Sequence, residues 1–231
     1  MRAPGPILAS GRDADIFDCG PGLVLRRSRD GRSMAHEART MEYLYRQSYP
    51  VPAVEELSDD GADLVMERVD GPSMVEALGR SPWTVRRQGA VLADLHRRLH
   101  DVPPPEFLGP APIGHGDRVL HLDLHPLNVI MGPKGPVVID WPNACLGDPD
   151  VDVALAWVLM SAGEIPAGRV VAKVLGWGRA LLVNGFVGQF DKGQVARQLR
   201  EVVEWKVKDP HMSEREIRAM WRVVERAASH G

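Results

Sequence analysis

The segment from His121 to Trp157 constrains this chain of 231 residues more than any other part. Asp123 lies in a short loop between apolar residues, and Asn128 follows five positions later. An apolar run then leads directly into a second carboxylate, Asp140. Short apolar runs separated by polar loops predict a strand, a loop and another strand. The segment therefore predicts a site in which two carboxylates and one amide are held by buried elements.

These three side chains follow the order in which a kinase-type site presents its base and its two magnesium ligands. Phosphoryl transfer requires positioned reactants and neutralised charge on the phosphate oxygens. Asp123 is suited to orient an acceptor hydroxyl and take its proton, while Asn128 and Asp140 offer the oxygen ligands that magnesium prefers. A single loop aspartate is usually a turn former or a cap, but three such residues in this order favour catalysis.

Two histidines beside Asp123 leave another interpretation open. His121, Asp123 and His125 could serve a metal-dependent hydrolase, although transition metals prefer more nitrogen or sulfur ligands than this stretch offers. We expect a structural role for His121, whose side chain would hydrogen-bond backbone near Asp140. His125 is a candidate contact to a phosphate or to the substrate.

Two further carboxylates, Asp148 and Asp152, are expected to support the site and not to take part in catalysis. Asp148 and Asp152 follow the second carboxylate, where they could accept hydrogen bonds from the catalytic loop or cap a helix that begins near Val151. His96 and His100 fall on a predicted helix, and we expect both to be structural.

Composition excludes several classes of protein. Apolar residues make up 44% and charged residues 26%, which is typical of a globular protein with a core. The net charge is −3 and the basic residues are scattered, so no nucleic-acid partner is expected. Cys19 and Cys145 are too few for a disulfide framework and favour a reducing compartment. The N-terminus has no apolar signal core, and the longest apolar run, 153–162, is too short to span a bilayer. We expect a cytoplasmic protein without a membrane partner; the oligomeric state is not predicted.

Residues 1–69 are predicted to form a small antiparallel sheet with one helix. Ser33 is the predicted N-cap of that helix, which places Glu37, Met41 and Leu44 on one face. Turn residues separate the apolar runs that predict the strands. The predicted strands are 7–9, 16–19, 23–26, 54–57 and 64–69.

Residues 70–231 are predicted to be mainly helical, and the sequence Asp-Gly-Pro at 70–72 marks the boundary. The proline-rich segment 101–117 predicts an irregular loop. The predicted helices are 74–78, 84–100, 151–162, 167–190, 193–207 and 213–229. Together the two parts predict an α+β protein of two lobes.

The motif at residues 121–128, HLDLHPLN, resembles the HGDxHxxN catalytic motif of the aminoglycoside phosphotransferase/choline kinase family. Residues 138–141, VIDW, are similar to the magnesium motif of that family, and 147–154, GDPDVDVA, resemble its GDPxxDLA segment. The resemblance is specific over 121–157, extends across 7–100 and fades after residue 160. It implies a bilobal protein-kinase-like fold, with ATP (or GTP) and magnesium as cofactors and a small molecule as acceptor.

The resemblance also implies nucleotide contacts upstream of the motif. The turn at 10–14, which contains Gly11, would cover the phosphates. Backbone groups of Glu67 and Val69 would hydrogen-bond the edge of the adenine, with Met66 behind it. A plain core strand explains the side chains of 64–69 equally well.

Two positions depart from the family pattern. Arg26 stands where the family carries a phosphate-binding lysine, on the face of its strand that also carries Val24. Arginine donates to phosphate, and Glu37 would pair with it, but its planar fork binds differently from an ammonium. Leu122 replaces the motif glycine. These departures leave open a catalytically impaired, nucleotide-binding pseudokinase as the alternative.

The leading prediction is an ATP- and magnesium-dependent phosphotransferase that acts on a hydroxyl of a small molecule. A protein kinase is disfavoured because Asp140 and Asp148 are too close in sequence to enclose an activation loop. Acidic residues near the C-terminus could line a pocket for a cationic acceptor, although solvated helix faces are the commoner explanation. These residues are Glu164, Asp191, Glu201, Glu204 and Asp209.

Overall fold

The computed structural model describes residues 2–11, 13–163 and 169–229, and of residues 169–175 it describes the backbone alone. The chain divides into two compact units. The first consists of Met1–Ser73 with Asn128–Ala144, and the second of Met74–Leu127 with Cys145–Gly231. Residues 128–144 join the first unit through contacts that the hydrophobic pattern does not reveal. The predicted division between a nucleotide-binding lobe, 1–69, and a lobe with the catalytic loop and acceptor site, 70–231, stays a prediction.

The first unit is built on a five-stranded antiparallel sheet in the order β1-β2-β3-β5-β4. On β3, Leu25 packs with Cys19 and Val65, whereas Val24 and Arg26 belong to the opposite face. The predicted meander with a turn at Gly11 is confirmed. The strands are β1 (Ile7–Ser10), β2 (Ala14–Asp18), β3 (Leu23–Ser28), β4 (Val54–Leu57) and β5 (Asp63–Glu67).

One helix, α1 (Ala35–Arg46), lies between β3 and β4 in the chain. Its buried face includes Glu37, Met41 and Leu44, as predicted. The predicted N-cap at Ser33 is wrong, because the cap position is Met34. Met34 is buried and its N–H donates to Gly61 O at 2.8 Å, so packing sets the start of the helix one residue later.

A β-hairpin completes the first unit, formed by β7 (Val129–Gly132) and β8 (Gly135–Val138). The N–H of Met131 donates to Pro72 O and that of Val138 donates to Pro50 O, both at 2.8 Å. These bonds anchor the hairpin to the rest of the unit. Its open end carries Asn128, just before β7, and Asp140, two residues after β8.

The second unit is mainly helical. Its helix α4 (Pro149–Ala162) is buried along almost its whole length. As predicted, 101–117 contain no regular element. In the described part of the chain the helices fall within a few residues of their predicted positions, and residues 167 and 168 of the predicted helix 167–190 lie outside that part. No helix in the described part of the chain is long and apolar enough to cross a membrane. The elements are α2 (Met74–Arg80), α3 (Val85–His100), β6 (Arg118–Leu120), β9 (Cys145–Gly147), α4 (Pro149–Ala162), α5 (Arg169–Val187), α6 (Lys192–Lys206) and α7 (Glu214–Ala228).

Candidate active site

In the first unit, one arginine lies between two carboxylates. Arg26 Nη1 donates to Glu37 Oε1 at 2.8 Å, and Nη2 donates to Asp140 Oδ1 at 2.9 Å. Glu37 is only 3% exposed and also accepts from the N–H of Trp141 at 3.3 Å. The ion pair predicted between Arg26 and Glu37 is therefore present, and the contact to Asp140 adds a second carboxylate to it.

Burial and charge oppose each other in this triad. Burial raises the pKa of Glu37, and the neighbouring Arg26 guanidinium counters that rise. Burial alone would lower the pKa of Arg26, but Glu37 and Asp140 raise it above its ordinary value. The guanidinium therefore stays charged, and it neutralises two carboxylates that would otherwise repel each other.

The Asp140 backbone adopts a left-handed conformation, with φ of 71°. Such a conformation is strained for a residue other than glycine and persists where its surroundings fix it. Just before it, the N–H of Ile139 donates to Asn128 O at 3.0 Å. The side chains of Asn128 and Asp140 are thus attached at neighbouring backbone positions at the open end of the hairpin.

The chemistry of these donors fits a magnesium ion that arrives with phosphates. An amide oxygen and a carboxylate are hard ligands, and magnesium usually takes one or two carboxylates plus phosphates and water. Among the described residues, no group of three His, Cys, Asp or Glu side chains is arranged to hold a metal ion. The hydrolase alternative, with His121, Asp123 and His125 as ligands, has no such set in that part of the chain.

The remaining predicted nucleotide contacts lie on the sheet of the first unit. Gly11 is exposed in the turn between β1 and β2, and its N–H donates to Ala14 O at 2.9 Å. Arg12 lies outside the described residues. This turn is the one predicted to cover phosphates, and that role stays a prediction.

The segment predicted to meet the adenine ends β5. Met66 is buried and pairs in register with Val24 of β3. The N–H of Glu67 donates to Ala53 O at 2.8 Å, so this donor is already used. Val69 is half-buried beyond the strand. The adenine contact predicted for the backbone of Glu67 and Val69 stays a prediction.

Asp123 belongs to the second unit, in the loop after β6, and its side chain is 25% exposed. The N–H of Leu127 donates to His125 Nδ1 at 3.3 Å, which places the imidazole proton on Nε2. His125 Nε2 lies 3.4 Å from Asp123 Oδ1. Burial alone would raise the pKa of Asp123, but this histidine and the charges of His121 and Lys206 hold it below its ordinary value. Asp123 is therefore ionised at neutral pH.

A fully buried carboxylate, Asp152, holds the backbone that precedes Asp123. Its Oδ1 accepts from the N–H of Leu122 at 2.8 Å, and its Oδ2 accepts from the N–H of His121 at 3.2 Å. His100 Nε2 donates to the same Oδ2 at 3.1 Å. Burial alone would raise the pKa of Asp152, but the hydrogen bond from His100 and the surrounding imidazoles lower it below its ordinary value. The supporting role predicted for Asp152 is confirmed by these contacts.

Asp148 caps α4, the helix that carries Asp152. Its side chain accepts from the N–H of Asp150 at 2.9 Å and from Gln198 Nε2 at 3.3 Å. The predicted cap is thus confirmed, although the helix begins at Pro149 rather than at Val151. Proline fits the first helical position because its missing N–H would be unpaired there in any case.

His96 should make the stability of the protein depend on pH. It is fully buried against Phe186, and burial lowers its pKa from 6.5 to about 4. Between pH 7 and pH 5 the unfolded chain therefore binds a proton that the native state excludes, so stability falls as pH falls. Through this one group, the free energy of unfolding should fall by about 2 kcal/mol between pH 7 and pH 5. Urea unfolding of the wild type and of His96→Gln at both pH values measures the difference; an equal loss in both proteins would contradict the assignment.

Leu122, which stands at the glycine of the family motif, has a φ of 56° and is 2% exposed. We expect Leu122→Ala to destabilise the protein by about 3 kcal/mol, because a buried side chain is lost. Leu122→Gly should be less harmful than Leu122→Ala by about 1 kcal/mol, because glycine tolerates this conformation.

Leu124 is the matched control for Leu122, since it is equally buried and is not among the residues with positive φ. At Leu124, replacement by glycine should destabilise the protein more than replacement by alanine does. Chemical unfolding of the four variants gives both rankings. The same ranking at both positions would contradict the strain assigned to Leu122.

The acidic residues considered for a cationic acceptor have local partners. These contacts account for four of them without any acceptor, and Glu164 lies outside the described residues. Asp191 caps α6 by accepting from the N–H groups of Gly193 and Gln194, and Glu201 accepts from the N–H of Gly114. Glu204 lies 3.9 Å from Arg200, and Asp209 lies 3.0 Å from Lys206.

One residue of this region was not predicted from the sequence. His36 Nε2 lies 2.9 Å from Ala144 O, 108 residues away in the chain. The only local signal was its position beside Glu37 in the first turn of α1. A contact between residues so distant in sequence leaves no trace in hydrophobic periodicity.

Comparison with solved structures identifies the fold. The chain is similar to aminoglycoside phosphotransferase APH(2″)-Ib in its ADP-bound form, with a TM-score of 0.61, 14% identity and coverage of 94% of this chain and 90% of that one. A choline/ethanolamine kinase family protein from Mesorhizobium loti is similar with a TM-score of 0.56 and 15% identity, and the match covers 97% of this chain and 87% of that one. Amicoumacin kinase hAmiN, in complex with AMP-PNP, Ca²⁺ and Ami, is similar with a TM-score of 0.53 and 13% identity, and the match covers 97% of this chain and 88% of that one. The fold is the protein-kinase-like α+β fold, as predicted.

The sequence identifies the family. The family described as "Phosphotransferase enzyme family", APH, matches residues 6–118 and 108–183. The chain therefore belongs to this phosphotransferase family, which confirms the resemblance seen in residues 121–157. No curated protein sequence matches the chain.

Proposed function

We propose that this protein transfers the γ-phosphate of ATP, or alternatively of GTP, to a hydroxyl of a small molecule in a magnesium-dependent reaction. The observation that carries the proposal is the open end of the β7–β8 hairpin. There Asn128 and Asp140 lie at neighbouring backbone positions, and Arg26 donates to Asp140. Membership of the phosphotransferase family supports the same reaction class. We expect the protein to act in the cytoplasm.

The first unit would bind the nucleotide. Arg26 presents a charged fork that can pass from Asp140 to a phosphate, while its bond to Glu37 keeps it in place. Gly11 would lie over the phosphates. The backbone of Glu67 and Val69 would meet the adenine edge. All these groups lie within one compact unit, so nucleotide binding should survive changes in the second unit.

Magnesium, when bound by Asn128 and Asp140, would neutralise charge on the phosphate oxygens. Asp123 would accept the hydrogen bond of the acceptor hydroxyl and then its proton. Its low pKa keeps it ionised and able to accept at neutral pH. His125 orients the carboxylate through Nε2, and Asp152 fixes the backbone of His121 and Leu122. The residues of the second unit therefore position a base more than they activate it.

The alternative is a nucleotide-binding pseudokinase, motivated by Arg26 and by the single glycine of the β1–β2 turn. Thermal-shift titrations with ATP and GTP, each with and without magnesium, test binding. At a hundredfold excess over Kd, a nucleotide should stabilise the protein by about 3 kcal/mol. A parallel assay of phosphate release, run with and without hydroxyl acceptors, separates the two functions. Stabilisation without any turnover would favour the pseudokinase, and no stabilisation by either nucleotide would contradict both.

A further inference from the structure

Two consecutive residues of α1 hold the two ends of the turn that follows Asp140. At the first end, Glu37 Oε1 accepts from the N–H of Trp141 at 3.3 Å. At the other end, His36 Nε2 lies 2.9 Å from Ala144 O. A carbonyl oxygen can only accept, so the imidazole must donate through Nε2. The helix therefore holds residues 141–144 at both ends, although more than 100 residues separate them in the chain.

The turn between these two ends is itself closed and packed. The N–H of Ala144 donates to Trp141 O at 3.3 Å. The indole of Trp141 is fully buried, donates to Val138 O at 3.1 Å and packs edge-on against Tyr49. A displacement of Ala144 would therefore be transmitted to Trp141, and through the peptide bond to Asp140.

Asp140 is the residue for which such support matters. Its φ of 71° is strained, and a strained backbone persists only where several contacts determine it. Before Asp140, the N–H of Ile139 is bound to Asn128 O. After it, the support comes from Glu37 and His36. Glu37 also binds Arg26, whereas the hydrogen bond of His36 is made to the turn.

We propose that His36 is a positioning residue that holds Asp140 in its metal-binding conformation through the carbonyl of Ala144. The proposal rests on the proposed function of Asp140 as a magnesium ligand. The hydrogen bond of His36 is to a backbone carbonyl, so it would act through the turn and not on the reacting atoms. A contact of this kind should alter affinity for the metal and leave affinity for the nucleotide alone unchanged.

The test compares two substitutions of His36 in the full chain. His36→Leu removes the donor, whereas His36→Gln keeps an N–H at the end of a side chain of similar length. Tyr45→Leu, at an exposed position on the same helix, is the control. Calorimetry measures the apparent Kd of magnesium at saturating ADP, and separately the Kd of ADP without metal. We expect His36→Leu to weaken magnesium binding about tenfold, with His36→Gln and Tyr45→Leu close to the wild type.

Asp140→Asn, measured in the same way, separates this inference from the proposed function. Weakened magnesium binding in Asp140→Asn with wild-type behaviour in His36→Leu would overturn the role of His36 alone. Unchanged magnesium binding in Asp140→Asn would overturn both. An equal loss of metal-free ADP affinity in His36→Leu would indicate general damage to the unit and would also overturn the positioning role.

Discussion

Replacement of Asp123 by asparagine should lower kcat about a thousandfold while leaving the Kd of the nucleotide unchanged. Asparagine has the same shape but cannot take the proton of an acceptor hydroxyl, and general-base catalysis typically contributes a factor of this size. The Kd should hold because the residues proposed to bind nucleotide lie in the other compact unit. Steady-state kinetics and calorimetry with Mg·ADP measure the two quantities.

Asp117→Asn is a matched control, because Asp117 is 85% exposed in its side chain and lies in the loop before β6. This change should leave both kcat and Kd unaltered. Turnover of Asp123→Asn within a few-fold of the wild type would remove Asp123 from the catalytic role. A large rise in its nucleotide Kd would show that the residue serves binding instead.

Replacement of Arg26 by methionine should lower both the stability of the protein and its affinity for nucleotide. The change leaves Glu37 buried without its counter-charge, and breaking a buried ion pair in this way costs about 3 kcal/mol. It also removes the cation proposed to meet the phosphates, so we expect the Kd of Mg·ADP to rise at least tenfold. Urea unfolding and calorimetry measure these losses.

Arg27 offers a control for Arg26 on the other face of β3. It pairs with Asp63 at 2.6 Å and is 44% exposed, so Arg27→Met should cost less than about 1 kcal/mol. Arg26→Lys should fall between the wild type and Arg26→Met, because one ammonium cannot reproduce the fork that reaches both carboxylates. Equal stability losses at Arg26 and Arg27 would contradict the central place given to Arg26.

Much of the fold could be predicted because its signals are local. Short apolar runs bounded by turn residues located all five strands of the main sheet, and helical periodicity identified Glu37 on the buried face of α1. A helix cap was one of the two roles predicted for Asp148, because a cap requires only a carboxylate a few residues from the helix start. The start of α1 was misplaced because the burial of Met34, a tertiary effect, sets it.

The supporting contacts of the site could not be predicted, because they join distant parts of the chain. Arg26 reaches Asp140 across 114 positions, and His36 reaches Ala144 across 108. Nothing in the sequence says that Leu122 adopts a glycine-like backbone; the replaced motif glycine shows only that the position is unusual. The sequence therefore identifies the reacting groups, and the structure shows what holds them.

Phosphoryl transfer to a small molecule can be detected directly by ³¹P NMR of the wild-type protein with ATP, magnesium and a panel of small hydroxyl-bearing acceptors that includes amino alcohols and aminoglycosides. We expect a new phosphate monoester signal, formed together with ADP, that requires nucleotide and magnesium and disappears in Asp123→Asn. Tight binding of Mg·ATP with no ester across the panel, or an ester that Asp123→Asn forms equally well, would contradict the proposed function.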